Sequence, residues 1–335
     1  MKKVYFNNGD TYEGDKNELN ELQGKGIYNF KNGSYFKGEF IKGLYNGKGE
    51  FFDVDSNCVI KGDFKNSLPN GNVTIEYSDK SKYIGQVVNG LREGLGKFFF
   101  APRNQQNMLV YEGEFKNDRF EGRGSIQFQN NDNFQGNFLN GVIEGQGILK
   151  TSEYTYQGNF KNGQKSDVKG QLIYSNQDKY IGGFIKDKKN GEGKIIYRDG
   201  NEYEGEWFDD LKQGKGILKF TNGDRYEGEF QNDVFDGKGK YIFNVKSGEN
   251  LNQEQKSQIY LYEGQFKNGY AEGQGKILFQ NSKDYIEGQF EQNYKHGQII
   301  HVIFKTTNEK QFGEFKGQFV YNTEKTQISD YGPRK

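Results

Sequence analysis

The feature that most constrains this chain is a glycine that returns, in the setting aromatic-x-Gly-x-aromatic, about every 23 residues. The series runs Gly14, Gly38, Gly62, Gly85, Gly113, Gly136, Gly158, Gly182, Gly205, Gly228, Gly264, Gly288 and Gly313. Eight of these thirteen motifs are complete, beginning at Phe36, Tyr111, Phe134, Tyr156, Tyr180, Tyr203, Tyr226 and Tyr262. The others are weaker: Lys16 or Val87 replaces the second aromatic, and Ile60, Ile286 or Gln311 replaces the first. A short unit repeated at fixed period cannot bury its own apolar face and must stack on its neighbours.

Asn201 to Asn222 shows what one unit encodes. Tyr203, Gly205 and Trp207 alternate with Glu204 and Glu206, a polar stretch follows, then Gly214-Lys215-Gly216 leads into the apolar run Ile217 to Phe220, and Asn222-Gly223 closes it. Period-two alternation, a turn and a second strand-like run predict a β-hairpin and its connector. Residues i, i+2 and i+4 of a strand share a face, so each glycine lies between two rings and leaves room for them. Glutamates after the leading aromatic (Glu112, Glu204, Glu227, Glu263) and lysines between paired glycines (Lys25, Lys48, Lys215, Lys238) fall on the other face. The expected fold is all-β: an elongated, solenoid-like single sheet of about thirteen consecutive hairpins over residues 1–320. Polar loops are inserted near 101–109 and 246–258, and residues 321–335 form a short tail.

Composition fits a thin β structure better than a globule. Glycine is 47 of 335 residues, about twice the usual ~7%, and aromatics reach 16% while all apolar residues total 32%. Lys+Arg and Asp+Glu are 46 each, so no net charge draws the chain toward nucleic acid. Cys58 is the sole cysteine, which excludes an internal disulfide and suits a reducing compartment. The N-terminal residues carry no apolar stretch of signal-peptide type, and a run such as Phe98 to Ala101 is far too short to cross a membrane. These features predict a soluble intracellular protein.

The pattern aromatic-x-Gly-x-[Phe/Trp]-x-x-[Gly/Asp/Asn]-x-x-x-Gly-x-Gly, clearest at Tyr111–Gly124, Tyr203–Gly216, Tyr226–Gly239 and Tyr262–Gly275, resembles the MORN repeat (membrane occupation and recognition nexus). Asp167-Val168-Lys169-Gly170 and His296-Gly297-Gln298-Ile299 depart from it by lacking the paired glycines. The resemblance implies a sheet of successive hairpins with a grooved cross-section. It also implies scaffolding in cytoskeletal, ciliary or cell-division structures, with a radial spoke or the central apparatus of an axoneme as the preferred setting.

No catalytic constellation emerges. The Gly-x-Gly pairs (Gly94/Gly96, Gly122/Gly124, Gly145/Gly147, Gly191/Gly193) have no helix pattern after them and so do not make phosphate loops. Glu204/Glu206-type pairs recur in several units, as a solvated face does and a unique catalytic pair does not. His296 and His301 are far from Cys58 in sequence, which argues against a metal site or a Cys-His nucleophile. The reading is therefore a non-enzymatic chain without cofactor or metal, binding other proteins. The aromatic face is mostly the sheet's own core, yet a single layer should leave part of it open as a groove. The candidate lining is Phe36, Phe40, Tyr111, Phe115, Tyr156, Phe160, Tyr203, Trp207, Tyr226, Phe230, Tyr262 and Phe266. Self-association through end strands is a further opportunity. The alternative is a peripheral membrane adaptor binding anionic phosphoinositides through Lys65, Lys116, Lys161 and Lys267, each at the same place in its repeat.

Overall fold

A computed structural model describes residues 3–245, 259–280, 285–291, 298–305 and 317–318. The insertion at 246–258, the tail at 321–335 and the Gly313 motif lie outside the described residues. The chain divides into two units, Met1–Gln164 and Lys165–Lys335. Each is an open antiparallel sheet of consecutive hairpins, with no helix among the described residues.

In the first unit an opening strand, Lys3–Tyr5, is followed by six hairpins, from Thr11–Lys16 with Leu22–Asn29 to Asn133–Leu139 with Val142–Lys150. The strand Tyr154–Lys161 then pairs with the last of them. The second unit starts with Asp167–Tyr174 and continues through five hairpins, the first Lys179–Ile185 with Lys188–Ile196 and the last Tyr285–Glu291 with Gln298–Lys305. After Leu91–Phe99 the chain runs through a loop to the next strand, Met108–Lys116. The loop's Asn104 side chain donates to the Ala101 and Met108 carbonyls and accepts from the Met108 N–H.

The hairpin turns follow from local sequence. Two central residues both take positive φ, as in Asn66/Ser67 (51° and 67°), Asn117/Asp118 (47° and 66°) and Asp209/Asp210 (50° and 73°). That is the type I′ geometry, whose twist matches the flanking strands and which favours Asn, Asp and Gly. Two-residue turns are also tied to the preceding hairpin. Asn140 donates its N–H to the Glu121 carboxylate (2.9 Å) and Gly141 donates to the Phe120 carbonyl (2.8 Å). The equivalent backbone bond in the second unit runs from Asp210 to Lys189.

Between Glu202–Phe208 and Leu211–Lys219, Gly205 faces Gly216 but Trp207 already faces Lys212, so Glu206 opposes three residues. This bulge sits on Gly214, at φ +64°, a conformation that costs glycine little. The Glu206 carboxylate accepts the Lys215 N–H at 2.9 Å, and Glu114 and Glu229 do the same for Arg123 and Lys238. Glu204/Glu206 is therefore not a uniform solvated pair: one member closes the bulge.

Tyr203 lies along its own strand over Gly205 and Gly216, and its hydroxyl donates to the Glu206 carbonyl (2.9 Å). Tyr12, Tyr83, Tyr111, Tyr156, Tyr180, Tyr226 and Tyr262 repeat this bond. The second aromatic of each motif meets two leading rings edge-on: Trp207 is 5.3 Å from Tyr203 and 5.2 Å from Tyr180. In the first unit Phe138 bridges Phe134 and Tyr111 in the same way. Edge-to-face rings thus run from hairpin to hairpin as the core of each sheet.

Candidate interaction surface

The expectation that this ladder lines an open groove fails on exposure. Phe36, Phe40, Tyr111, Phe115, Tyr156, Phe160, Tyr203, Trp207, Tyr226, Phe230, Tyr262 and Phe266 are all between 0% and 4% exposed. The cover comes from the residue two positions past each hairpin turn. Tyr45 stacks flat on Phe36 at 3.9 Å, Phe120 on Tyr111 at 3.8 Å and Phe235 on Tyr226 at 3.7 Å. In other repeats a cation takes its place: Arg92 lies 5.8 Å from Tyr83, Lys189 4.4 Å from Trp207 and Lys212 5.5 Å from Tyr203, while Pro69, Ile143 and Ala271 hold the position elsewhere. A single-layer sheet therefore closes its rings without a second sheet.

The cation caps went unnoticed in the sequence, although their position is fixed. Lys165, Lys189 and Lys212 are all buried and stand at the same place in successive repeats. The backbone N–H of Lys189 bonds to Asp210 and that of Lys212 to Asp233, each aspartate being the second residue of the following turn. Burial pushes the Lys189 ammonium down to about 8, against an opposing pull from Asp210, and lowers Lys165 and Lys212 as well. Burial also raises the tyrosines of this layer, with the capping Tyr45 and the capped Tyr83 both pushed up to about 12.

What stays accessible on this face is a different set of rings. Most of them stand two and four residues after the second glycine, beyond the closed ladder, and are joined by Phe6 and by Phe120, the cover of Tyr111. In the first unit half-buried Phe6, Tyr28, Phe30 and Phe51 form a chain of contacts at 5.6, 4.9 and 6.3 Å, and Tyr77, Phe98, Phe100 and Phe120 continue the theme at 6.1, 4.9 and 6.2 Å. In the second unit half-buried Phe220 and Phe243 flank the buried Tyr241 at 5.9 and 4.7 Å. Their hydroxyls are held by the connectors: Tyr28 donates to Asp10 (2.6 Å) and Tyr241 to Asp224 (3.0 Å).

The opposite face is polar and paired. Five lysines of the first unit face a carboxylate directly across the ladder: Lys3–Glu13, Lys48–Asp63, Lys61–Glu50, Lys82–Glu76 and Lys97–Glu112. In the second unit Lys240–Glu263 is alike. A shallow depression of about 520 Å³ on this face is lined by Glu112, Arg123 and amides such as Gln135, Asn137 and Gln146. Lys65, Lys116, Lys161 and Lys267 are exposed at the hairpin tips, and Lys267 is held by Asp236 at 3.1 Å.

Among the described residues no three His, Cys, Asp or Glu side chains come together as a metal site. Cys58 is half-buried with its thiol pushed up by burial, the opposite of an activated nucleophile. His296 lies outside the described residues. No helix among the described residues is long and apolar enough to cross a membrane.

Stacked hairpins, a glycine-seated ring in each and turns bonded to the preceding hairpin define an all-β repeat protein of the stacked-hairpin class. The family model for the MORN repeat matches residues 18–35, 36–58, 83–105, 111–133, 134–152, 156–179, 180–202, 203–225, 226–246, 262–283 and 287–298, and the chain belongs to the MORN-repeat family. The repeat is a non-enzymatic type, found in protein-interaction and membrane-associated proteins. Alsin of Homo sapiens and Alsin of Mus musculus are 27% and 26% identical over 130 residues, which is 39% of this chain and 7% of theirs. Among solved structures, the TCP10 domain of Danio rerio CPAP, in complex with a peptide of Danio rerio STIL, matches 73% of this chain and 98% of its own at 13% identity and a TM-score of 0.37. The SAS-4 TCP domain of Drosophila melanogaster, in complex with a proline-rich motif of Ana2, matches 64% and 86% at 13% identity and a TM-score of 0.21.

Proposed function

We propose that this protein is a non-enzymatic scaffold, a rail of repeats that docks other proteins within a cytoskeletal assembly of the cytoplasm. The observation that carries the reading is the recurrent row of half-buried rings. Phe30, Tyr77, Phe100, Phe128, Phe220 and Phe243 stand at one place in their repeats and offer ring surface beyond the closed core. Rings that lie beside the closed core and are still accessible are what an extended or helical segment of a partner lays its apolar side chains against. Residues 1–320 supply the docking positions in this reading, each unit with its own series. Among cytoskeletal settings the ciliary axoneme, at a radial spoke or the central apparatus, is the one the family habit favours. The test is fractionation of the full chain from ciliated cells, beside a variant carrying Phe30→Ser and Phe128→Ser. Retention of the wild type in the detergent-resistant cytoskeleton and release of the variant supports the reading. Equal release of both contradicts it.

One observation favours a second reading. The exposed Lys65, Lys116 and Lys161 share an edge with exposed aliphatic side chains, the combination a peripheral adaptor uses on anionic phosphoinositides. Salt-sensitive sedimentation with phosphoinositide vesicles supports it, and indifference to them removes it.

A further inference from the structure

The hairpin tips of the first unit carry cations that the fold does not use. Lys42, Lys65, Lys116, Arg119 and Lys161 are exposed, and none of them forms an ion pair among the described residues. The contrast with the adjoining polar face, where five lysines each have a carboxylate directly opposite, is sharp. Lys116 and Arg119 even face each other across their turn, a like-charge pairing that disfavours the hairpin. The carboxylate between them, Asp118, is turned away and taken by Arg92, at 2.9 Å from its Nε. Nothing in the folding of these hairpins accounts for the row.

Aliphatic pairs alternate with the cations along the same edge. Ile41 faces Leu44, Val88 faces Leu91 and Leu139 faces Val142, all between 43% and 51% exposed. Tips with an aliphatic pair thus alternate with tips that carry Lys65, Lys116 or Lys161; Lys42 adds a cation at the first aliphatic tip, and exposed Leu68 faces Lys65. At about 10 Å per hairpin the strip from Lys42 to Lys161 is roughly 50 Å long, and apolar tips repeat at about 19 Å.

We infer that this strip docks an acidic, leucine-bearing polypeptide segment in extended conformation. The inference rests on the scaffold reading and names the chemistry of one partner. Charge complementarity selects an acidic occupant. The spacing selects an extended chain, since about six residues at ~3.3 Å each span the distance between apolar tips. A membrane suits the strip less well. The cations are spread about one per hairpin rather than clustered, and the apolar tips are Ile, Leu and Val without the aromatic residues that sit at a lipid interface.

The probe is a synthetic peptide of about 16 residues, glutamate throughout with leucine at about every sixth place, long enough to follow the strip. Binding to the full chain is measured by fluorescence anisotropy at low and at physiological salt. The variant combines Lys65→Glu, Lys116→Glu, Arg119→Glu and Lys161→Glu, all exposed and unpaired, with circular dichroism confirming the fold. Its comparison is Lys48→Glu with Lys97→Glu, which alters net charge on the neighbouring face. The expected result is salt-sensitive binding that the tip variant weakens by about tenfold or more and the comparison variant leaves within about twofold. No binding at low salt, equal loss in both variants, or capture of phosphatidylserine vesicles but not of the peptide overturns the inference. A tip variant that fails to bind peptide yet stays in the cytoskeletal fraction leaves the scaffold reading standing. A wild-type chain that binds peptide but never enters that fraction removes the scaffold reading alone.

Discussion

Gly216→Ala isolates the contact on which each repeat turns. Its backbone is ordinary extended strand, so alanine meets no conformational bar. Its Cβ, however, would stand 2.5 Å from the Tyr203 ring and hydroxyl, against the ~3.5–4.0 Å of normal contact. The ring must shift by about 1 Å, and it has nowhere to go: it is 0% exposed and wedged between Trp207 at 5.3 Å and Phe230 at 4.9 Å. Overpacking of a tight core costs about 1–3 kcal/mol, and losing the hydroxyl bond to Glu206 adds about 1 kcal/mol. The expected loss is therefore about 2–4 kcal/mol. Trp207 is the chain's only tryptophan and touches Tyr203, so its fluorescence during urea unfolding reports this repeat directly. A compensating pair is already built into the first unit, where Ile60 stands in place of the ring and Val73 in place of the second glycine. Tyr203→Ile should accordingly relieve Gly216→Val, leaving the double variant more stable than the sum of its parts by about 1–3 kcal/mol. A Gly216→Ala protein with the wild-type urea midpoint would refute the seat assigned to the ring.

Glu206→Ala should destabilise the same transition by about 1 kcal/mol by orphaning the Lys215 N–H, while Glu206→Gln stays close to wild type, since Gln265 makes the same bond to Gln274. Asp233→Ala removes the carboxylate 3.5 Å from the buried Lys212 ammonium and should cost about 3 kcal/mol or more by the same readout. The pH dependence has a definite sign. With Lys189 at about 8 when folded and an ordinary value of 10.5 when unfolded, the unfolded chain binds more protons between those values. Stability should therefore rise from about pH 8 toward 10, by at most ~3 kcal/mol. Above about 10 the raised core tyrosines reverse the trend, because they ionise only after unfolding. Lys189→Met should reduce the rise below pH 10 and leave the part contributed by the lowered Lys165 and Lys212, as measured by urea midpoints across that range.

Hairpin periodicity and turn positions are legible because each depends on a few adjacent residues. Asn, Asp and Gly at a two-residue turn, or glycine between two rings, carry their geometry with them. The weak repeat at Ile60 was less legible than it deserved. It folds like the others because Val73 fills the space that the missing ring vacates, a compensation between residues 13 positions apart in sequence. The accessibility of the aromatic face was misjudged for a related reason. Period-two alternation places Tyr203 and Trp207 on one face but does not say what lies over them. The covering residue, Lys212, reads as a surface lysine until the register sets it opposite Trp207. The bulge likewise separates Glu206 from Glu204, which alternation alone makes equivalent.

The scaffold reading is tested most directly by purifying the tagged full-length protein from salt-extracted cytoskeleton and quantifying by mass spectrometry what accompanies it. The account predicts filament-associated proteins in fixed proportion to the chain, lost from the Phe30→Ser, Phe128→Ser variant whose repeats remain folded. Membrane proteins and lipid enzymes in their place, or no protein in fixed proportion, would contradict it.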